Sequence, residues 1–304
     1  WSNEVEMGSA PGRLTLDISG LAANRTYYYR CFASNAVGTN WAAETAIFTT
    51  APPAVAGVSN YYVNDVSTDG DLYCSVTGSV GNSGTSPSLP KASVSAVLAA
   101  YNLGPGDVIW VDTGFYNLGS ALTITGADGG AAGSNVVLRG TTGPAGSVLS
   151  RGGGAGDVIT LSSGTDYLRI ENLGMTGGDV GLNADTCDGL QVIGCTVYSN
   201  NPISPYGGIY LLNCGSPVVS NSIVCSNGYY GIYLSGCPNG LVAGNLSASN
   251  TLAGIYCESC EAPVVIGNTC RDQWWWDGVQ VSGILMLNNT SGETMISNRC
   301  SHNT

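Results

Sequence analysis

The chain has 304 residues, of which 44 are glycine, 11 are cysteine and only 10% are charged. Lysine and arginine together number 9 against 21 acidic residues, which gives a formal net charge of −12. Nucleic acids and anionic membrane surfaces are bound through basic patches, so this balance argues against both as partners. No apolar run reaches transmembrane length, and we therefore expect no membrane insertion.

Residues 1–51 contain three short stretches in which apolar and polar residues alternate, a pattern typical of strands. The sequence from Gly20 to Gly38 resembles the last three strands of a fibronectin type III domain. The resemblance implies that Leu21 and Tyr28 lock the corner before a long strand, and that Asn35 and Gly38 form the turn into the last one. It covers about half of such a domain, so we predict a partial β-sandwich completed by upstream sequence or by another chain.

Residues 52–60 form a linker that begins with a Pro/Gly-rich stretch and leads into a polar loop. Asp65, Asp69 and Asp71 lie within seven residues in this loop. Carboxylate oxygens are the ligands that calcium prefers, so a calcium site is one interpretation of the loop. The spacing matches no EF-hand, and a solvated turn is the alternative. We predict no other cofactor.

A single helix is predicted at about residues 91–102. Val94, Val97, Leu98 and Tyr101 follow the spacing of one apolar helical face. Gly104-Pro105-Gly106 ends the pattern.

From about residue 61 to the end, the sequence is organised by a repeat. The tripeptide Gly-Ile-Tyr recurs at residues 208, 231 and 254, in steps of 23 residues, and columns of asparagine and cysteine share the same period. Repeats of this length indicate stacked structural units. Each unit contains apolar stretches of three to five residues between turn residues, and none contains a run of helix length. The pattern predicts a parallel β-helix with coils about 4.8 Å apart.

The recurring turn asparagines and Gly-Ile-Tyr segments resemble the right-handed parallel β-helix proteins of the pectin-lyase-like superfamily. The resemblance implies that an amphipathic helix caps the N-terminal end of the coil. It also implies an internal ladder of stacked asparagines, interrupted at Cys195. The ladder positions are Asn172, Asn221, Asn245 and Asn268. The predicted fold class is therefore all-β, with a right-handed parallel β-helix over residues 61–304 after the partial fibronectin type III-like module.

A second column consists of cysteines, namely Cys187, Cys214, Cys237 and Cys260. A coil spacing of about 4.8 Å falls within the Cα separation of disulfides, about 4.4–6.8 Å, so inter-coil disulfides are one interpretation. A buried stack of free thiols is the alternative, because cysteine is a small core residue. A metal site at Cys257-x-x-Cys260 is a third interpretation, without a second cysteine pair to complete it.

Tyr210, Tyr233 and Tyr256 share a third column. Their neighbours are apolar, so the alternation of a strand directs these tyrosines outward. With Trp274, Trp275 and Trp276 they are candidates for binding a carbohydrate or a partner protein. The alternative is that the tyrosines only stabilise the face of the sheet.

The catalytic groups of polysaccharide lyases and hydrolases are hard to find in this sequence. The single lysine, Lys91, precedes the coils, and the single histidine is His302. Candidate carboxylate pairs are Asp185 with Asp188 and Asp272 with Asp277, and neither lies in a recognisable family motif. We therefore assign no catalytic residue, and the sequence argues more against an enzyme than for a polysaccharide lyase or glycoside hydrolase.

The sequence favours a structural or adhesive protein, extracellular or at the cell surface, with self-association into a fibre as an extension of that role. A carbohydrate-binding module and a polysaccharide-cleaving enzyme are the alternatives, and polysaccharide is the candidate ligand of both. The chain starts without methionine and stops within a repeat, so we expect a piece of a longer exported protein. Asn24 and Asn289 lie in sequons and are candidates for glycosylation.

Overall fold

The computed structural model describes residues 18, 21, 25–49, 57–142, 146–200, 207–274 and 281–303. The chain divides into two compact units, residues 1–56 and 57–304. The division falls inside the predicted linker.

The first unit contains two antiparallel strand pairs. Its strands are β1 (Thr26–Tyr29), β2 (Phe32–Asn35), β3 (Gly38–Trp41) and β4 (Ala46–Thr49). β1 pairs with β4, and β2 pairs with β3. The Asn35 Oδ1 accepts hydrogen bonds from the N–H groups of Val37 (2.8 Å) and Gly38 (3.2 Å), so the predicted turn is present. Tyr28 is 62% exposed, unlike a residue packed into a corner, and the fibronectin type III-like domain is not confirmed.

The second unit is a parallel β-helix built from three sheets. The first sheet contains β5 (Asn60–Val63), β6 (Val108–Val111), β9 (Val136–Arg139), β12 (Leu168–Glu171), β15 (Gln191–Ile193), β18 (Val218–Ser220), β21 (Leu241–Ala243), β24 (Val264–Ile266) and β27 (Thr294–Ile296). The second contains β7 (Gly114–Asn117), β10 (Ser147–Ser150), β13 (Leu173–Thr176), β16 (Thr196–Tyr198), β19 (Ile223–Cys225), β22 (Leu246–Ala248), β25 (Thr269–Arg271) and β28 (Arg299–Ser301). The third contains β8 (Leu122–Ile124), β11 (Ile159–Leu161), β14 (Val180–Asp185), β17 (Gly207–Leu212), β20 (Tyr230–Ser235), β23 (Ala253–Glu258) and β26 (Ser282–Leu287). The chain visits the three sheets in turn, which confirms the predicted fold.

The interior of the coil is filled by columns of apolar side chains. Ile209, Ile232 and Ile255 are paired in register across β17, β20 and β23, and each is fully buried. Equivalent columns from the other two sheets complete one continuous core. The period of 23 residues therefore corresponds to one coil, and stacking keeps each apolar residue above its equivalent.

From β12 onward, the turn after each strand begins with a left-handed residue followed by a residue that points toward the interior. In the coil that contains β22, Ser249 has a φ of 56° and the next residue, Asn250, is fully buried. The left-handed residue reverses the direction of the side chain, so that the residue after it points into the coil. Serine, asparagine and glycine are frequent at this left-handed position in the molecule, and asparagine and glycine tolerate that conformation best.

The glycine of the Gly-Ile-Tyr repeat is required by a close approach. A Cβ atom on Gly231 would lie 2.2 Å from the Ser247 Oγ and 2.6 Å from the Gly254 carbonyl oxygen. Glycine is the residue that leaves this space open.

The helix α1 covers Val94–Leu98 and is shorter than predicted. The Ser93 Oγ accepts a hydrogen bond from the Ala96 N–H (3.1 Å) and caps its first turn. Val94 and Val97 are buried, and the helix contacts β5 and β8, which are the first strands of the first and third sheets. A single 3-10 turn covers Gly126–Asp128. Among the described residues, no helix has the length and apolar character needed to span a membrane.

Candidate functional site

Four tyrosines form a cluster on the outer face of the third sheet, which we call the aromatic surface. It consists of Tyr210, Tyr230, Tyr233 and Tyr256. The rings of Tyr210 and Tyr233 are stacked, with centroids 4.7 Å apart and planes inclined by 7°. Tyr230 stacks on Tyr233 at 5.0 Å, and Tyr256 meets the Tyr233 ring edge-on at 5.2 Å. The predicted column is therefore present, and Tyr230 is an additional member.

The four rings differ in how much they present to solvent. Tyr233 and Tyr256 are each only 8% exposed, because the neighbouring rings cover them. Tyr210 and Tyr230 are half-buried and form the accessible part of the aromatic surface. Leu212 packs against the same cluster. The inner pair packs against the face of the sheet, and the outer pair is partly exposed to solvent.

A carboxylate lies at the edge of the aromatic surface. The Tyr233 hydroxyl donates a hydrogen bond to the Glu258 Oε2 (2.8 Å). Burial raises the pKa of the Tyr233 phenol, and the hydrogen bond to Glu258 raises that pKa further. Burial also raises the pKa values of Tyr230 and Tyr256. The hydroxyl groups of Tyr230, Tyr233 and Tyr256 are therefore protonated at neutral pH.

The predicted tryptophan contribution is described only in part. Trp274 is 52% exposed and lies three residues after Arg271, the last residue of the second-sheet strand β25. Trp275 and Trp276 lie outside the described residues.

The first internal ladder follows the strands of the first sheet and corrects two of the predicted positions. The Oδ1 of Asn268 accepts from both the backbone N–H (2.9 Å) and the Nδ2 (3.0 Å) of Asn245. Asn298 binds Asn268 in the same manner. Asn172 and Asn221 are left-handed turn residues, with φ of 53° and 52°, one position before the ladder. The ladder position and the turn position before it accept the same residue types, so the spacing of asparagines does not distinguish the two columns.

Ser222 and Cys195 occupy the ladder positions on the preceding coils. The Ser222 N–H donates to the Asn245 Oδ1 (2.9 Å), and the Cys195 N–H donates to the Ser222 Oγ (3.2 Å). Burial raises the pKa of the Cys195 thiol to about 12, so it remains a protonated thiol at neutral pH.

A second ladder, which sequence reasoning missed, follows the strands of the second sheet. Each member after the first accepts a hydrogen bond at its side-chain oxygen from the backbone N–H of the member before it, at 2.8–3.2 Å. The members are Asn200, Asn227, Asn250, Gln273 and Asn303. The steps of 23 residues between Asn227, Asn250 and Gln273 are the signal that could have revealed this ladder.

The predicted cysteine column forms the third ladder, after the strands of the third sheet. All four cysteines are fully buried free thiols, so the predicted disulfides are not supported. Each thiol donates to a backbone carbonyl, as Cys237 does to Ser235 (3.4 Å) and Leu211 (3.6 Å). Asn289 takes the next place, with its Oδ1 accepting from the Cys260 N–H (2.9 Å).

Asn289 is half-buried and is also a predicted glycosylation candidate. Its Nδ2 donates to the Cys257 carbonyl oxygen (3.2 Å), so the amide takes part in the hydrogen bonds of the ladder. The other candidate, Asn24, lies outside the described residues.

The three aspartates proposed as calcium ligands do not converge on one point. Asp65 accepts from the N–H groups of Ser67 and Phe115, and Asp71 accepts from the Asn64 Nδ2 (2.6 Å). Burial raises the pKa of Asp71 to about 6, and the hydrogen bond from Asn64 opposes that rise. No group of three metal-binding side chains is present among the described residues.

The carboxylate pairs considered for catalysis are engaged in turns. Asp185 accepts from the Thr186 Oγ1 and the Asn213 Nδ2, and Asp188 accepts from the Gly215 N–H (2.9 Å). Asp272 forms an ion pair with Arg271, and Asp277 lies outside the described residues.

The sequence from residue 136 to 304 matches a protein family model described as "Periplasmic copper-binding protein (NosD)". The side chains in the described part of the chain do not fit a copper site. The single histidine, His302, is 82% exposed at its side chain and lies beside Asp272. The third-ladder thiols are buried and donate to carbonyl oxygens, and Met175 is buried in the apolar core. Copper favours imidazole and thiolate ligands that converge on one point, and no three His, Cys, Asp or Glu side chains converge in the described part of the chain.

Several solved structures align with this chain. A GH136 lacto-N-biosidase from Eubacterium ramulus aligns with a TM-score of 0.51 and 14% identity, over 78% of this chain and 56% of its own. A rhamnogalacturonan lyase aligns at 0.44 and 15% identity, over 80% and 62%. An alginate lyase from Paenibacillus sp. str. FPU-7 aligns at 0.41 and 14%, over 68% and 94%.

These likenesses concern the fold alone. The chain spans about half of the length of the lacto-N-biosidase, 56%. None of the curated protein sequences is significantly similar to it. The family model matches residues 136–304, more than half of the chain and the part that forms the ladders. The chain therefore belongs to the NosD family.

Proposed function

We propose that this chain is an adhesive β-helix protein that acts outside the cytoplasm and binds glycans on its aromatic surface. The observation that carries the proposal is the accessible pair Tyr210 and Tyr230, supported from below by two buried tyrosines and flanked by Glu258. The proposal concerns binding and assigns no cleavage step.

The aromatic surface has the two properties that a sugar-binding face needs. The apolar C–H face of a pyranose ring packs on an aromatic ring, and hydroxyl groups around the sugar need polar partners. Tyr233 and Glu258 already form a hydrogen bond that fixes the carboxylate at the edge of the rings. Leu285, paired in register with Tyr256 and 36% exposed, extends the apolar face along the coil axis.

The comparisons support this class of ligand and this location. The lacto-N-biosidase with the same fold is named for action on a carbohydrate. The family to which the chain belongs is described as periplasmic, which supports a place outside the cytoplasm.

Glycan binding is tested by screening the full chain on a glycan array and measuring affinity for the best oligosaccharide by calorimetry. Replacing Tyr230 or Tyr210 by alanine should weaken binding by about tenfold, because each removes one stacking ring. Tyr198→Ala is the matched control, since Tyr198 is a half-buried outward tyrosine on the second sheet. Equal affinity of all variants would contradict the proposal. Conversion of the oligosaccharide to shorter products would favour the hydrolase or lyase alternative.

Self-association into a fibre is the second candidate. Two pairs of apolar residues in the first unit favour it because their side chains face solvent. Tyr28 and Ile47 are paired across β1 and β4 and are 62% and 60% exposed. Phe32 and Trp41 lie with ring centroids 4.8 Å apart across β2 and β3, and both are exposed. Electron microscopy of the purified protein tests this candidate.

A further inference from the structure

A cluster of charged residues lies on the outer face of the second sheet, at the strands β25 and β28. It borders a shallow cavity of about 480 Å³. The cavity is lined by Thr269, Arg271, Asp272, Arg299, Ser301 and His302. The molecule has only nine cationic residues and one histidine, and two arginines and the histidine meet here.

The charges appear where the repeat changes its residue types. On the preceding strands of the second sheet, the equivalent outward and turn positions are uncharged. They are Thr196, Tyr198 and Ser199 on β16, Ile223, Cys225 and Ser226 on β19, and Leu246, Ala248 and Ser249 on β22. Stacking of the coils does not require charge at these positions, since three consecutive coils form without it.

The ion pairs inside the cluster leave one guanidinium unpaired. Asp272 forms an ion pair with Arg271, and its Oδ1 lies 3.8 Å from the His302 Nδ1. The negative charge of Asp272 is therefore already balanced. Arg299 is exposed, and its guanidinium has no ion pair or hydrogen bond to any described residue.

We propose that this cavity binds an oxyanion group, a carboxylate or a sulfate, with Arg299 as the principal ligand. A guanidinium binds such groups through two parallel N–H donors, and the hydroxyls of Ser301 and Thr269 border the same space. The net charge of −12 repels anions from most of the surface. An anion should therefore bind at this local cationic cavity in preference to other parts of the surface. The site shares no residue with the aromatic surface, and it stands whether or not that surface binds glycans.

The test is an NMR titration of the 15N-labelled full chain, followed at the arginine Nε–H signals. The probes are inorganic sulfate, glucuronate and uncharged glucose, at constant ionic strength. We expect shifts at Arg271 and Arg299 with sulfate, glucuronate or both, and none with glucose. Arg299→Gln should weaken binding about tenfold, because it removes a charge-assisted pair of hydrogen bonds.

Two further variants separate a built site from a general charge effect. Arg30→Gln removes the same charge from an exposed arginine in the first unit, where the side chain donates to the Ala42 carbonyl oxygen, and should leave the titration unchanged. Arg299→Lys keeps the positive charge but lacks the two parallel N–H donors of the guanidinium, and this variant should bind the anion with intermediate affinity. An absence of shifts at the two arginines, or equal weakening by Arg299→Gln and Arg30→Gln, would overturn the proposal. A response to sulfate alone or to glucuronate alone supports it and identifies the group that is bound.

Discussion

Asn250 links three coils through its side chain and its backbone N–H. Its Oδ1 accepts from the backbone N–H of Asn227 (3.1 Å), and its Nδ2 donates to the Val224 carbonyl oxygen (3.1 Å). Its own backbone N–H donates to the Gln273 Oε1 (2.8 Å). These groups are buried, where an unpaired donor or acceptor is costly. The ladder amides thus replace the water that the turn backbone would otherwise need.

Replacing Asn250 by alanine should lower the free energy of unfolding by about 2–4 kcal/mol, because it leaves buried polar groups of Asn227 and Val224 unpaired. Urea unfolding followed by circular dichroism measures the change. Asn239→Gly is the control, since Asn239 is an exposed left-handed turn residue and glycine accepts its φ of 53°. A loss of similar size in both variants would show that the ladder hydrogen bonds are not the cause.

The positions of the ladders illustrate which residue roles can be predicted from sequence. Asn245 and Asn268 were predicted correctly, whereas Asn172 and Asn221 lie one residue away, in left-handed turns. Asparagine suits both positions, because its amide stacks inside the coil and its backbone tolerates a positive φ. Periodicity alone cannot separate two adjacent columns that accept the same residue. The hydrogen-bond partners decide between them.

At the scale of the strand, the Gly-Ile-Tyr repeat determines which residues face the interior of the coil and which face outward. The glycine of Gly-Ile-Tyr faces the second ladder. A Cβ atom on Gly231 would lie 2.7 Å from the Asn250 Nδ2. The tyrosine two residues later then faces outward and joins the aromatic surface. The tripeptide therefore combines an internal packing requirement with the residue that forms the candidate site.

The Gly231→Ala substitution should destabilise the coil by about 1–3 kcal/mol or more, because the added methyl overlaps the Ser247 Oγ and a backbone carbonyl. Thermal unfolding measures this loss. Gly119→Ala is the matched control, since no atom lies within 4 Å of a Cβ built there. Equal melting temperatures for wild type and Gly231→Ala would contradict the packing role assigned to this column.

The parallel β-helix and the coil period could be predicted because equivalent residues recur at fixed spacing, whereas the division into three sheets comes from the structure. The helix was predicted at about 91–102 and covers Val94–Leu98, since its apolar spacing continues beyond the residues that hold helical hydrogen bonds. The accessibility of the tyrosines could not be predicted. Alternation gives the direction of a side chain, whereas the covering of Tyr233 and Tyr256 depends on rings from neighbouring coils.

At the scale of the whole molecule, the adhesive function and the fibre hypothesis make different demands. Glycan binding needs only the outer face of the second unit, whereas self-association needs a surface that contacts another copy. The exposed pairs Tyr28–Ile47 and Phe32–Trp41 belong to the first unit. The two functions are therefore separable by substitution.

Electron microscopy of the purified protein at neutral pH should show regular fibres if the first unit mediates assembly. Ile47→Ser should then shift the population toward monomers, because it removes one of the exposed apolar side chains without disturbing the coils. Tyr230→Ala serves as the control that should leave assembly unchanged. Dispersed monomers of the wild-type protein would contradict the fibre hypothesis and leave glycan binding unaffected.

The ladders bond each coil only to the coil before it and the coil after it, in steps of 23 residues. A gene duplication or deletion of one such unit would therefore lengthen or shorten the β-helix of the second unit by about 4.8 Å, while every remaining coil kept equivalent neighbours. The length of the β-helix can therefore change in units of one coil. Evolution can therefore change the number of tyrosine rings on the third sheet and the length of the β-helix while the core packing stays the same.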